Sequence, residues 1–324
     1  MSRYSRQELF SPIGPEGQQR IRDSRVLLVG CGALGTHLAE FCVRSGVGEL
    51  TIVDRDIVEA SNLQRQSLFT ENDVAQALPK AEAARRHLVG VNSDVAIHAE
   101  VTDFNFRNAE ILAKGATLIL DASDNFETRF LINDVAVKSG TPWVYAGCVA
   151  SRAVCMPVLP GKTACLTCLL EDQPATGGET CDTTGIIMPA VLQAVAWSSV
   201  VALKILAAKT DALFCKMLTV DLWTGERSAM DASTPRNGCP TCGTHNYDWL
   251  EGKRATKHAV LCGRDSVQIE APVDFDYTGA RERIGAANKL SVENDFLLRA
   301  SSEGLTITLY KTVRACFTGA ASGD

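Results

Sequence analysis

The chain has 324 residues, 46% of them hydrophobic, which is ample for one large domain and a smaller one. A net charge of −6 and a pI near 5.5 argue against a nucleic-acid surface, tRNA included. The first ten residues carry Arg3, Arg6 and Glu8 without an apolar stretch, so they read as neither a signal nor a transit peptide. Twelve cysteines without an export signal argue against a disulfide framework and for a soluble, cytoplasmic protein.

In chain order, the first unit is a strand (VLLVG, ending at Gly30), a glycine turn, a helix to about Ser45 and a strand (LTIVD) ending at Asp54. A helix over Lys80 to Leu88, strands at Val95 to Ala99 and Thr117 to Asp121, a helix over Thr128 to Lys138 and a strand at Trp143 to Ala146 follow. Such alternation predicts a Rossmann-like α/β fold, a mostly parallel sheet with helices on both faces. Gly161 to Glu179 reads as loop. Gly185 to Leu203 lacks formal charge but contains Pro189, Gln193, Ser198 and Ser199, so it reads as a buried interface helix rather than a membrane span. A strand near Met217 to Asp221 and a polar, cysteine-bearing loop close the main domain, 1–250. Residues 255–324 read as a small α+β appendage, with strands at Val267 to Glu270, Asp295 to Ala300, Leu305 to Tyr310 and Val313 to Phe317 and a helix over Ala280 to Leu290.

Gly30-x-Gly32-x-x-Gly35 between a strand and a helix is a nucleotide fingerprint: glycines admit phosphates to the backbone, and the helix start offers unpaired N–H groups. Asp54, at the end of the second strand, can accept from ribose hydroxyls. Up to this point a nicotinamide-dependent oxidoreductase fits equally well. The residues that follow favour phosphate chemistry. Arg65 lies in Ser61-Asn62-Leu63-Gln64-Arg65-Gln66, Lys80 opens a helix after Pro79, and Asp124-Asn125 follows a buried strand. Two fixed cations and a carboxylate able to hold Mg2+ suit transfer to or from a nucleotide phosphate. Singly, each has a plainer reading: Arg65 as a surface ion pair, Lys80 as a solvated helix residue, Asp124 as an N-cap.

Cys165-x-x-Cys168 and Cys239-x-x-Cys242 are two thiolate pairs in turn-like contexts, suited to a closed, structural Zn2+ site without a catalytic role. A redox disulfide or unliganded thiols are the alternatives. Cys31, Cys42, Cys148, Cys155, Cys215, Cys262 and Cys316 read as small core residues. The five histidines show no ligand spacing, although His245 follows Cys242 closely enough to serve as a substitute ligand.

These stretches together resemble the ThiF/MoeB/HesA adenylyltransferases, relatives of ubiquitin-activating enzymes. The matching segments are RYSRQELF from Arg3, GCGALG from Gly30, DRD from Asp54, SNLQRQ from Ser61, PKAEAA from Pro79, DASDNFETR from Asp121 and TCDTTGIIMPA from Thr180. The end of the chain, from VLCGRDSVQI at Val260, resembles the extension of Bacillus-type ThiF proteins more loosely.

The resemblance implies that Asp54 binds ribose, that Arg65 and Lys80 hold the triphosphate of ATP, and that Asp124 holds magnesium. Gly32, Ala33, Asp56, Ser61, Asn62, Gln66 and Asn125 are implied to line the nucleotide. Arg6 is implied to reach the ATP of a neighbouring subunit, and hence a homodimer. Cys181 matches a cysteine that some members link to their carrier; here it is either a nucleophile or a dispensable thiol. The implied reaction is adenylation of the C-terminal glycine carboxylate of a ubiquitin-like sulfur carrier ending in Gly-Gly, for thiamine thiazole or molybdopterin synthesis, with a separate sulfur donor. Three readings stay beside it: an NAD-dependent oxidoreductase using the glycine-loop fold, a non-catalytic partner of an activating subunit, and an enzyme that adenylates a peptide or tRNA-linked carboxylate. No motif assigns the appendage a role.

Overall fold

A computed structural model of the chain describes residues 2–170, 181–254, 266–270, 275–287, 289–302, 305–311 and 314–318. Two short helices, α1 (Ser5–Glu8) and α2 (Gly14–Arg22), precede β1 (Arg25–Val29), α3 (Ala33–Ser45) and β2 (Glu49–Val53). Next come α4 (Glu71–Ala75), α5 (Lys80–Val89), β3 (Ala96–Glu100), α6 (Ala109–Ala113), β4 (Leu118–Asp121), α7 (Phe126–Ser139), β5 (Trp143–Val149) and β6 (Arg152–Val158). The large unit ends with α8 (Leu166–Leu169), α9 (Cys181–Thr184), α10 (Met188–Leu206), β7 (Lys216–Asp221) and β8 (Arg227–Asp231).

These strands form one sheet in the order β3-β2-β1-β4-β5-β6-β7-β8. The five from β3 to β5 run parallel, as buried apolar runs joined through helices must. The last three are added antiparallel. Side chains alternate between two cores. Val26 and Leu28 of β1 meet Leu34 and Leu38 of α3 and Val191 and Ala194 of α10. Leu27 and Val29 meet Phe130 and Ile132 of α7 on the other face.

In the large unit two expected boundaries are corrected and two strands, β6 and β8, are new. β6 contains Pro157, a residue that argues against a sheet interior, yet it pairs with both β5 and β7. β8 is exposed along its whole length and offers no apolar face to read. One helical turn, α8, interrupts the expected loop after Gly161, and residues 171–179 of that loop lie outside the described residues. The apolar helix runs from Met188 to Leu206 rather than Gly185 to Leu203; by length and composition it is the one described helix apolar enough to cross a membrane. Here it packs on β5, β6 and α3.

The second sheet is antiparallel, in the order β10-β11-β12-β13-β9, from β9 (Ser266–Glu270), β10 (Lys289–Glu293), β11 (Leu297–Ser302), β12 (Leu305–Tyr310) and β13 (Arg314–Thr318). Its helix α11 (Tyr277–Ala287) stops short of the expected Leu290. The Lys-Leu-Ser-Val-Glu run that follows has strand periodicity and pairs with β11. The seven thiols expected in the core divide. Cys31, Cys42 and Cys155 are buried, whereas Cys148 is half-buried, as is Cys215. Cys262 lies outside the described residues, and Cys316 is described only as a position on β13.

Candidate active site and metal centre

β1 and β4 are neighbours, but α3 and α7 leave them on opposite faces, so a crevice opens at their carboxyl ends. Gly30 turns the chain there with φ of 94°, a left-handed value that favours glycine. A Cβ on Gly30 would stand 2.5 Å from the Ala122 carbonyl oxygen, and one on Gly35 would strike the Gly30 carbonyl. These two glycines therefore let β1, α3 and the end of β4 close on one another. Gly32 is the N-cap of α3, Ala33 its first residue, and no side chain caps this turn, which leaves amides for an anion. Asp54 is tied into the same loop: Cys31 N–H donates to its Oδ2 at 2.6 Å and Asp56 N–H to its Oδ1 at 2.7 Å.

Lys80 is the first residue of α5, set by Pro79, and only 5% exposed. Its Nζ lies 3.1 Å from Asp56 Oδ2, and its charge reaches Asp54 and Cys31 in the glycine loop. Burial raises the Asp54 carboxyl above its ordinary range, and Lys80 pulls it back. Arg65 is half-buried, and its Nη1 donates to the Ser61 carbonyl at 2.9 Å. Asn62 is buried and holds its turn by accepting from Glu59 N–H, while Ser61 is exposed. Gln66 is buried, with its Oε1 unpartnered among the described residues, and its amide borders the open side of Gly32. A buried amide in that state marks a place for a ligand or water.

Asp124 is exposed at the crevice mouth and is not an N-cap. That role belongs to Asn125, whose Oδ1 accepts from Thr128 N–H at 2.8 Å while its Nδ2 donates to Asp124 Oδ1 at 3.2 Å. Two arginines that the sequence reading passed over stand close by. Burial opposes the charge of Arg55, but Asp103, Asp56 and Asp124 stabilise it on balance. Burial likewise opposes Arg129, which Tyr145, Asp121, Asp124 and Cys148 stabilise. Both lie inside the DRD and DASDNFETR stretches. An arginine about one turn into the helix that follows a carboxylate-bearing strand end was the available signal.

Arg6 is not at this crevice within its own chain. α1 sits at the opposite end of α3: Tyr4 lies against Gly46, and its hydroxyl accepts from Asn92 Nδ2 at 2.7 Å. The 13 residues of α3 separate the two ends, about 20 Å at 1.5 Å per residue. Cys181 begins α9, just before a bridge between Ala150 and Ile186 at the end of β5. Its side chain is outside the described set, as are residues 171–180.

The four cysteines of the two pairs converge, with all sulfurs within 4.8 Å of one another. Sγ separations of 3.8, 3.7 and 3.4 Å link Cys165 to Cys168, Cys165 to Cys239 and Cys168 to Cys242. A tetrahedral zinc with Zn–S near 2.3 Å places sulfurs about 3.8 Å apart, so the set fits. The backbone N–H of Arg236 donates to Cys168 Sγ, which favours a thiolate. His245 is exposed and bonds Tyr247, so it is not a fifth member. α7 carries both knuckles. Asn133 accepts from Leu166 N–H at 2.8 Å and donates to Thr167, while Asp134 accepts from Thr241 Oγ1 and the backbone N–H groups of Trp249 and Leu250.

Residues 4–241 match the ThiF family model. This chain belongs to the ThiF family. It is 45% identical over 322 residues to the sulfur carrier protein ThiS adenylyltransferase of Bacillus subtilis (strain 168), covering 98% of this chain and 94% of that protein. It is 34% identical over 254 residues to the SAMP-activating enzyme E1 of Haloferax volcanii, covering 78% and 92%. A crystal structure of Escherichia coli MccB with succinimide superposes with a TM-score of 0.67 at 24% identity, covering 75% of each chain. That likeness concerns the fold alone.

Proposed function

We propose that this ThiF-family chain is an ATP-dependent adenylyltransferase for the C-terminal glycine carboxylate of a ubiquitin-like sulfur carrier. The near full-length likeness to a ThiS adenylyltransferase supports the reaction class. The observation that carries it in the structure is Lys80, a nearly buried cation 3.1 Å from Asp56 whose charge reaches Asp54 and Cys31 at the glycine-loop crevice.

In this reading the phosphates of ATP meet the first amides of α3, with Arg65 and Lys80 neutralising their charge. Asp54 receives the ribose hydroxyls, and Asn62, Ser61, Gln66 and Asn125 line the nucleotide. Magnesium, when bound, shields the triphosphate; Asp124 is the exposed carboxylate at the mouth suited to hold it. The carrier's carboxylate oxygen attacks the α-phosphorus, the bond to the β-phosphate oxygen breaks, and pyrophosphate leaves. A carboxylate is already a nucleophile, so positioning and charge neutralisation suffice and no general base is needed. Arg6 serves the nucleotide of a second copy in a homodimer, since α1 lies at the far end of α3 from its own crevice. The adenylated carrier then goes to a separate sulfur donor, for thiamine thiazole or molybdopterin synthesis in the cytoplasm.

The test is ATP–pyrophosphate exchange with candidate Gly-Gly carriers. Exchange is expected only with the carrier tail present, with loss of about a hundredfold or more in Asp124→Ala. Undiminished exchange in that variant removes Asp124 from the reaction.

A further inference from the structure

Among the described residues, the second sheet meets the large unit at Ile57, Gln76 and Ala77, beside Lys80. Residues 56–58 and 78–80 form a two-bond antiparallel ladder around the bridge of Ile57 with Pro79. Lys80 N–H donates to the Asp56 carbonyl at 2.8 Å, and Val58 N–H to the Leu78 carbonyl at 2.9 Å. The ladder thus sets both halves of the Lys80–Asp56 ion pair. Its side chains go two ways: Val58 and Leu78 enter the core under α3 and α5, whereas Ile57 points out of that core.

Ile57 is nevertheless 4% exposed, because Leu297 of β11 and Tyr310 of β12 close over it together with Ala77. Ala77 holds a left-handed φ of 46°, which a residue with a Cβ keeps only where its surroundings fix it. Asn294, in the turn between β10 and β11, secures the contact. Its Oδ1 accepts from Phe296 and Leu297 N–H, and its Nδ2 donates to the Gln76 carbonyl at 2.9 Å. Without the second sheet, Ile57 and Ala77 would face water, and one side of the ladder would lose its packing.

We propose that Leu297, Tyr310 and Asn294 are positioning residues for Lys80: the appendage braces the Ile57–Pro79 ladder and so fixes the cation at the phosphate end of the crevice. The nucleotide arm of the test rests on the proposed adenylation. The amide arm stands apart from it.

In the full chain, Leu297→Ala is expected to speed hydrogen exchange at the Val58 and Lys80 amides by about tenfold or more, with Leu27 and Leu28 of β1 unchanged. The dissociation constant for ATP should rise by roughly three- to tenfold, with kcat at saturating ATP and the carrier KM held within about twofold. Asn294→Ala, which removes no buried carbon, should show the same local pattern at smaller amplitude and covers the case in which Leu297→Ala does not fold. Unchanged exchange at Val58 and Lys80 overturns the proposal, and so does equal acceleration throughout β1, which marks a general loss of stability. Failure of the unsubstituted protein to bind ATP overturns the nucleotide reading alone, because the amide pattern still decides whether the brace exists.

Discussion

Arg129 and Asp121 face each other beneath the turn that carries Asp124, with Nε 3.6 Å from Oδ2. Arg129 Nη2 donates to the Ser123 carbonyl at 3.0 Å, and Asp121 Oδ1 accepts from Ser123 N–H and Oγ–H at 2.9 and 2.6 Å. The residue before Asp124 is thereby gripped from both sides. Burial lifts the Asp121 carboxyl to about 6, against the pull of Arg129 and Ser123.

Arg129→Met leaves Asp121 buried without its cation, and a loss of about 3–5 kcal/mol of stability is expected by denaturant titration. The double variant Arg129→Met, Asp121→Leu should recover part of that loss. Arg129→Lys keeps the charge but not the fork, so exchange kcat should fall by roughly tenfold with little change in the KM for ATP. Equal stability of the single and double variants would show that the pair is not coupled.

Arg6 and Asp124 are expected to serve one site from two chains. Arg6→Ala and Asp124→Ala should each be nearly inactive in exchange, and a reassociated mixture should regain about a quarter of wild-type activity by random pairing. A mixture that stays inactive while mixed dimers form rules out the shared site.

Metal analysis is expected to find one zinc per chain. Cys239→Ser should lose it and lower Tm by about 10 °C, since metal binding in such knuckles is folding free energy. Between the thiols, the Cys165 hydrogen bond lowers the pKa of Cys239, while burial raises that of Cys242. Asn133→Ala, which touches no ligand sulfur, should speed zinc loss to a chelator by about tenfold. Zinc retention in Cys239→Ser removes Cys239 from the ligand set.

Asp134 gives a pH signature. Burial raises its carboxyl from 3.8 to about 7, with the Leu250 and Trp249 amides pulling the other way. The folded chain then binds more protons than the unfolded chain between these values, so this group's contribution falls as pH rises from about 4 to about 7. The limiting slope is about 1.4 kcal/mol per pH unit. Asp134→Asn should abolish that slope, and the difference between the two zinc-loaded proteins over this range isolates it. Parallel stability curves would place the titration elsewhere.

Much of the nucleotide crevice was legible because it depends on local chemistry. A glycine at φ of 94° after a buried strand, a proline before Lys80 and an asparagine at the start of α7 each act through neighbours a few residues away. β6 and β8 were not legible. One carries a proline, the other is exposed throughout, and their pairing is set by strands distant in sequence. Arg129 lies in the DASDNFETR stretch, but its grip on Ser123 exists only once α7 folds back along β4 and β5.

By itself the sequence determined the parallel half of the sheet, the glycine loop, the carboxylates and cations around it, and the pairing of two cysteine knuckles. Those follow from backbone freedom, apolar periodicity and donor chemistry, which are properties of short segments. Only the tertiary structure decided that α7 holds both knuckles through Asn133 and Asp134, that Arg6 lies a helix length from its own crevice, and that Leu297 and Tyr310 close over Ile57. Those relations join residues far apart in the chain, and burial between elements, rather than local preference, brings them together.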